Sequence, residues 1–145
     1  MKKQNLMKAF LILLPILAAM LAVSEKSVTV FDANTGVTEY YSYLEPLNVG
    51  SFQMITPLAA MLCLASGILS GAYIALKKQG LLKAVAVVSF CAATVAVIPT
   101  LMSTDVKVIP HVGLPILMGL ECLEAYYLTK KPASKPEPPK GPRLK

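Results

Sequence analysis

The sequence predicts an all-α membrane protein: four transmembrane helices in a bundle, with a small extracytoplasmic β-hairpin between the first two. Three observations carry this expectation. The 145-residue chain is 55% hydrophobic and 15% charged, with a mean hydropathy of +0.61, outside the balance of a soluble domain. Its apolar residues gather into four runs, each near the roughly 20 residues that a helix needs to cross about 30 Å of hydrocarbon. Its cations, finally, alternate from one connection to the next. Residues 1–129 therefore form a single transmembrane domain, and 130–145 a tail.

The first run, 9–23, follows Lys2, Lys3 and Lys8. A basic start before an apolar run also describes a secretory signal peptide, with Ala22-Val23-Ser24 as a cleavage site. With Leu6 and Met7 included and Lys8 snorkelling, the run reaches about 18 residues, which suits an uncleaved helix better. Either way the next segment is delivered to the same side.

That segment, 24–53, is too long for a simple connection. Ser27–Phe31 and Val37–Tyr43 are rich in β-branched and aromatic residues, and Asp32-Ala-Asn-Thr-Gly36 between them supplies turn chemistry. A hairpin over 27–43 follows. An isolated hairpin is marginal in water, so it needs either packing on the helix ends or a third strand, for which Thr104–Ile109 is a candidate. Tyr40, Tyr41 and Tyr43 suit a strand or the headgroup interface better than a recognition patch.

The runs 54–76 and 81–102 are long enough to span outright. In the first, Ala59, Cys63, Gly67, Gly71 and Ala75 recur every fourth residue. Such a small-residue face allows close helix approach, to the third helix through Ala84, Ser89, Ala92, Ala93 and Ala96, or to a second copy. Pro57 falls too early in its helix to disturb it, whereas Pro15 and Pro99 should bend or end theirs.

The fourth run, 110–128, contains Pro115, which should leave the His111 carbonyl without its helical partner. It also carries the candidate chemistry. Glu121 and Glu124 lie one turn apart, and Glu121 sits about 12 Å below the end of the helix. An ionisable group at that depth is costly unless neutral, paired or wet, and marks a candidate site. The structural expectation is that Glu124 pairs with Lys83 while Glu121 is protonated or bonded to a freed backbone group. The functional expectation is that Glu121 binds a proton or cation, tuned by Glu124. After Lys131 the tail is proline-rich and cationic, and predicts a disordered tether; its PxxP spacings at Pro136, Pro139 and Pro142 are a weak signal.

Of fourteen Lys and Arg, only Lys26 and Lys107 fall in the connections after the first and third helices. Cations are retained on the cytoplasmic side, so both termini should lie inside and the β element outside, in a plasma membrane. The basic pI of 9.3 thus reflects topology, and nucleic-acid binding is not expected. The partners expected are the lipid bilayer and either further copies or another membrane protein. No cofactor is expected, and no metal, since His111 is the chain's one histidine. Cys63, Cys91 and Cys122 form no CxxC pair, and no nucleophile triad, phosphate loop or HExxH motif occurs.

Four spans with an embedded glutamate resemble small multidrug transporters, which carry that carboxylate in the first helix, where this chain has none. Four spans with a β-rich first outer loop resemble the claudin-like layout, without its Trp and paired Cys. Both likenesses are of topology alone and assign no family. The leading expectation is a non-enzymatic scaffold or accessory subunit, with a proton- or cation-coupled oligomeric transporter second.

Overall fold

The computed structural model describes residues 2–46, 54–102, 106–130 and 141. Four helices dominate it: α1 (Lys2–Val23), α2 (Ile55–Leu76), α3 (Gln79–Met102) and α4 (Gly113–Lys130). Three strands fill the connections after α1 and α3, namely β1 (Val28–Asp32), β2 (Thr38–Tyr41) and β3 (Val106–Pro110). The stretches Lys2–Val23, Ile55–Leu76 and Gln79–Ile98 are long and apolar enough to cross a membrane. α4 falls short of that standard because Glu121, Glu124 and Lys130 interrupt its 18 residues.

α1 is longer than its apolar run, because nothing between Lys2 and Lys8 breaks a helix. It passes unbroken through Pro15, and α3 through Pro99. Pro57 occupies the first turn of α2, where a missing N–H costs nothing. Only Lys77 and Lys78 separate α2 from α3. Lys77 closes α2 in the left-handed conformation (φ 53°) with its N–H on the Tyr73 carbonyl at 2.7 Å, an αL cap. The short turn makes α2 and α3 antiparallel neighbours.

The sheet has the order β2-β1-β3, both pairs antiparallel, with Val30 opposite Glu39 on one side and Val108 on the other. β3 thus supplies the support that the hairpin lacks alone. The turn is built as its residues dictate: Asp32 Oδ1 accepts the Asn34 N–H at 2.9 Å, the Gly36 N–H reaches the Asp32 carbonyl at 2.8 Å, and Gly36 takes φ 69°. Because β3 extends through Pro110, α4 begins at Gly113 and not at the start of the apolar run. Pro115 then lies in its first turn, and the His111 carbonyl is partnered after all, by the Leu114 N–H at 3.3 Å. The His111 ring caps the helix by accepting the Gly113 N–H on Nδ1 at 3.1 Å.

α1 packs on α2 and α4, and α3 packs on α2 and α4, giving a four-cornered bundle with the sheet at one end and the lysines at the other. Its interior combines many small residues with a few large ones, Leu11, Leu82, Leu114 and Met118 among them, while many large apolar side chains face outward; α2 shows the sorting most clearly. α2 buries Thr56, Ala59, Ala60, Cys63, Ser66 and Ser70 while Met61 and Ile68 are 66% and 74% exposed. Water would drive the opposite sorting, since the large apolar side chains gain most from burial. In lipid the tails solvate Met and Ile, and close backbone approach holds the helices together.

The small-residue series of α2 does not stay on one interface. A step of four residues advances about 400°, so the series drifts about 40° per step. Ala59 and Cys63 are buried in the bundle, Gly67 faces α1, where a Cβ would meet Pro15 Cβ at 3.4 Å, and Gly71 and Ala75 are exposed. The tail beyond Lys130 and its PxxP spacings lie outside the described residues.

Candidate functional site

Along the bundle the buried residues form layers. Toward the sheet, Ala18, Ala22, Tyr43, Ala59, Cys63, Ala92, Ala96, Leu114 and Met118 make one apolar cluster; toward the lysine end, Leu11, Leu82, Val85 and Ala125 make another. Between them α4 places Glu121, fully buried at 0% exposure.

Three helical serines close on that carboxyl. Ser66 and Ser70, one turn apart on the inner face of α2, donate to Oε2 and Oε1, each at 2.9 Å, and Ser89 of α3 donates to Oε2 at 3.0 Å. The donors are side chains of two neighbouring helices, not the backbone group that the sequence suggests. Ser89 is visible in the sequence as a small packing residue. Ser66 and Ser70 are not, because each immediately precedes a glycine of the more conspicuous series. The signal that points to them is a pair of serines four apart in an apolar span, directed to one helix face.

The proton count at this site is informative. Three hydroxyls carry one proton each, so an ionised carboxylate accepts all three. Ser66 Oγ also lies 3.1 Å from the Cys63 carbonyl. A neutral acid can therefore donate from Oε2 to Ser66, whose own proton turns to Cys63, while Ser70 and Ser89 still donate to the carboxyl. Neither state leaves a buried polar atom unpaired, which is the main cost of burying such a group.

Glu124 and Lys83 are not brought together in the chain. Lys83 is exposed on α3 and Glu124 half-buried on α4, and neither is engaged by an opposite charge among the described residues. Glu124 instead lines a groove of about 580 Å³ between α1 and α4, walled by Met7, Phe10, Leu14, Leu120, Leu123, Tyr126 and Tyr127. A smaller groove of about 320 Å³ at the sheet end lies among Lys26, Ser27, Thr29, Ile109, His111 and Val112. Neither is lined by Glu121.

Cys63 is buried, Cys91 exposed and Cys122 intermediate, all as free thiols. Tyr43, fully buried beneath the sheet, donates its backbone N–H to the Ala22 carbonyl at 3.1 Å, while its hydroxyl finds no partner among the described residues. Burial raises its phenol above the ordinary range, the nearby Cys63 adding to the effect.

Fold and site together define a four-helix bundle, three of its helices long and apolar enough to cross a membrane, keyed by one carboxyl held among serine hydroxyls. The chain matches no family model, and no curated protein and no solved structure matches it either.

Proposed function

We propose that this protein is a non-enzymatic scaffold or accessory subunit of a plasma membrane. All four helices span, both termini lie in the cytoplasm, and the three-stranded sheet is presented outside. The observation that carries this reading is the closure of Glu121: its two oxygens are occupied by Ser66, Ser70 and Ser89, and the residue has no exposed surface. A carboxyl enclosed on that scale suits a latch that fixes the register of α4 against α2 and α3. It also offsets the cost of Glu121, one of the two glutamates of α4, in a bilayer. The alternation of cations supports the orientation, and the inverted sorting of large and small residues supports the bilayer.

One observation favours a second reading, a proton- or cation-coupled small oligomeric transporter using Glu121. The alternative acceptor for Ser66 on Cys63 lets the site hold the acid with or without its proton. Carboxyl-sensitive infrared titration of bilayer-reconstituted wild type against Glu121→Gln separates the two. A latch gives a Glu121 band that does not change between about pH 5 and 9 and ignores added Na⁺. A band that titrates near neutrality and moves with cations, the behaviour of a poised functional carboxyl, replaces the scaffold with the transporter. Reporter fusions at the C-terminus and within the 32–36 turn test the orientation.

A further inference from the structure

The pairing that the chain does not make internally is available between chains. Lys83 lies four residues into α3 and Glu124 six residues before the end of α4, about 6 Å and about 9 Å below the lysine-rich end of the bundle at 1.5 Å per residue. The two charges therefore sit at nearly the same depth on different faces of the molecule. A lysine stem can absorb the remaining difference.

Each charge is embedded in a matching shape. On α3, Lys83 begins an exposed ridge that continues at i+4 and i+7 with Val87 and Phe90, 63% and 64% exposed. On the other side, Glu124 opens into the groove between α1 and α4, whose apolar walls include Phe10, Leu14 and Leu123. A carboxyl facing an apolar groove at membrane depth is costly unless neutral, paired or wet, and Lys83, which pairs with no carboxylate among the described residues, offers a cation at matching depth.

We propose that a second copy of this chain fills the groove, its α3 ridge seating Val87 and Phe90 against α1 and α4 and its Lys83 pairing with Glu124. Ridge and groove are different surfaces, so the contact is head-to-tail, which makes a ring where the rotation between copies closes and an open row where it does not. In the small-residue series of α2, Ala59, Cys63 and Gly67 are engaged within one chain and Gly71 and Ala75 are exposed; the charge pair favours the ridge and groove. This assembly goes beyond the scaffold reading and stands whether or not Glu121 is a latch.

Charge reversal in trans tests it. Differently tagged full-length chains carrying Lys83→Glu or Glu124→Lys are expressed alone and together, and association is read by co-purification and by subunit counting in lipid nanodiscs. Each variant alone should associate about 3- to 20-fold more weakly than wild type, the range set by polar contacts between membrane helices. The mixture should regain association, since every groove then meets a ridge of opposite sign. Phe90→Ala, on the lipid face, should also weaken association while leaving helix content and unfolding unchanged, which keeps the test independent of any folding defect in the charge variants. The proposal is overturned if wild type is monomeric at every protein-to-lipid ratio, if the single reversals associate as wild type does, or if only the double reversal within one chain restores association.

Discussion

Replacing Glu121 tests the latch most directly, because its contribution can be bounded from its contacts. Three hydrogen bonds reach the carboxyl, from Ser66, Ser70 and Ser89. Polar contacts between membrane helices average about 0.6 kcal/mol and reach about 1.7 kcal/mol, so the set contributes about 2–5 kcal/mol. The serines freed by substitution can turn to carbonyls of their own helices, as Ser66 already does toward Cys63. That places Glu121→Leu near the lower bound, at about 2 kcal/mol. Glu121→Ala should lose about 1 kcal/mol more, for a void of some 50 Å³ at ~24 cal/mol per Å³. Glu121→Gln should stay within about 1 kcal/mol of wild type if the native acid is neutral, because the amide presents one acceptor and donors in nearly the same places. Reversible unfolding in mixed micelles measures all three. Wild-type stability in Glu121→Ala would refute the latch. A Gln variant as damaged as Ala would show that the ionised form is the one that holds the bundle.

Three further outcomes follow from the geometry. Tyr43→Phe removes a buried hydroxyl that has no partner among the described residues and should leave stability unchanged or raise it by up to about 1–3 kcal/mol, the cost of an unsatisfied polar group, as read by thermal unfolding. Gly71→Leu should be tolerated, since nothing lies within 4 Å of its added Cβ, whereas Gly67→Leu should force α1 away at Pro15; unfolding and protease sensitivity report the difference. The Asn34 N–H, with help from Thr35, holds the Asp32 carboxyl below its usual 3.8. A depressed carboxyl contributes stability above its unfolded value and loses it as pH falls through the folded one, so exchange at the Asn34 amide should accelerate below about pH 4 in wild type and be pH-insensitive, beyond intrinsic chemistry, in Asp32→Ala.

Much of the architecture was legible because it rests on local signals. The β-branched stretches around Asp32–Gly36 became β1 and β2, and the alternation near Val106–Val108 became β3, since strand and turn chemistry act over a few residues. Helix ends were less legible. Apolarity marks the part of a helix that lipid can cover and not the part that is helical, so α1 starts at Lys2, while at Pro110 a strand claims residues that are apolar enough for a helix. The carboxyl at Glu121 stood out by depth alone. Its partners did not, because which face of α2 turns inward depends on the position of α1, α3 and α4 together. A series of period four rotates through about 160° between Ala59 and Ala75, so it touches several neighbours in turn.

The inverted sorting of residue size gives the polar layer its importance. A water-soluble bundle draws specificity from large interdigitating side chains, whereas here Ala18, Ala59, Ala92 and Ala96 occupy much of the interior beside Leu114 and Met118, and small faces pack in more than one register. One glutamate reaching serines on two other helices is satisfied in only one register. A shift of α4 by a single turn, about 5.4 Å, would carry the carboxyl away from Ser66 and Ser89 into an apolar layer, with the penalty that lipid imposes on an unpaired polar group. The same reasoning bears on Glu124 one turn away, which no cation engages among the described residues. An interior carboxyl fixes the helices within one copy, and a peripheral one at a groove supplies the same directional constraint between copies.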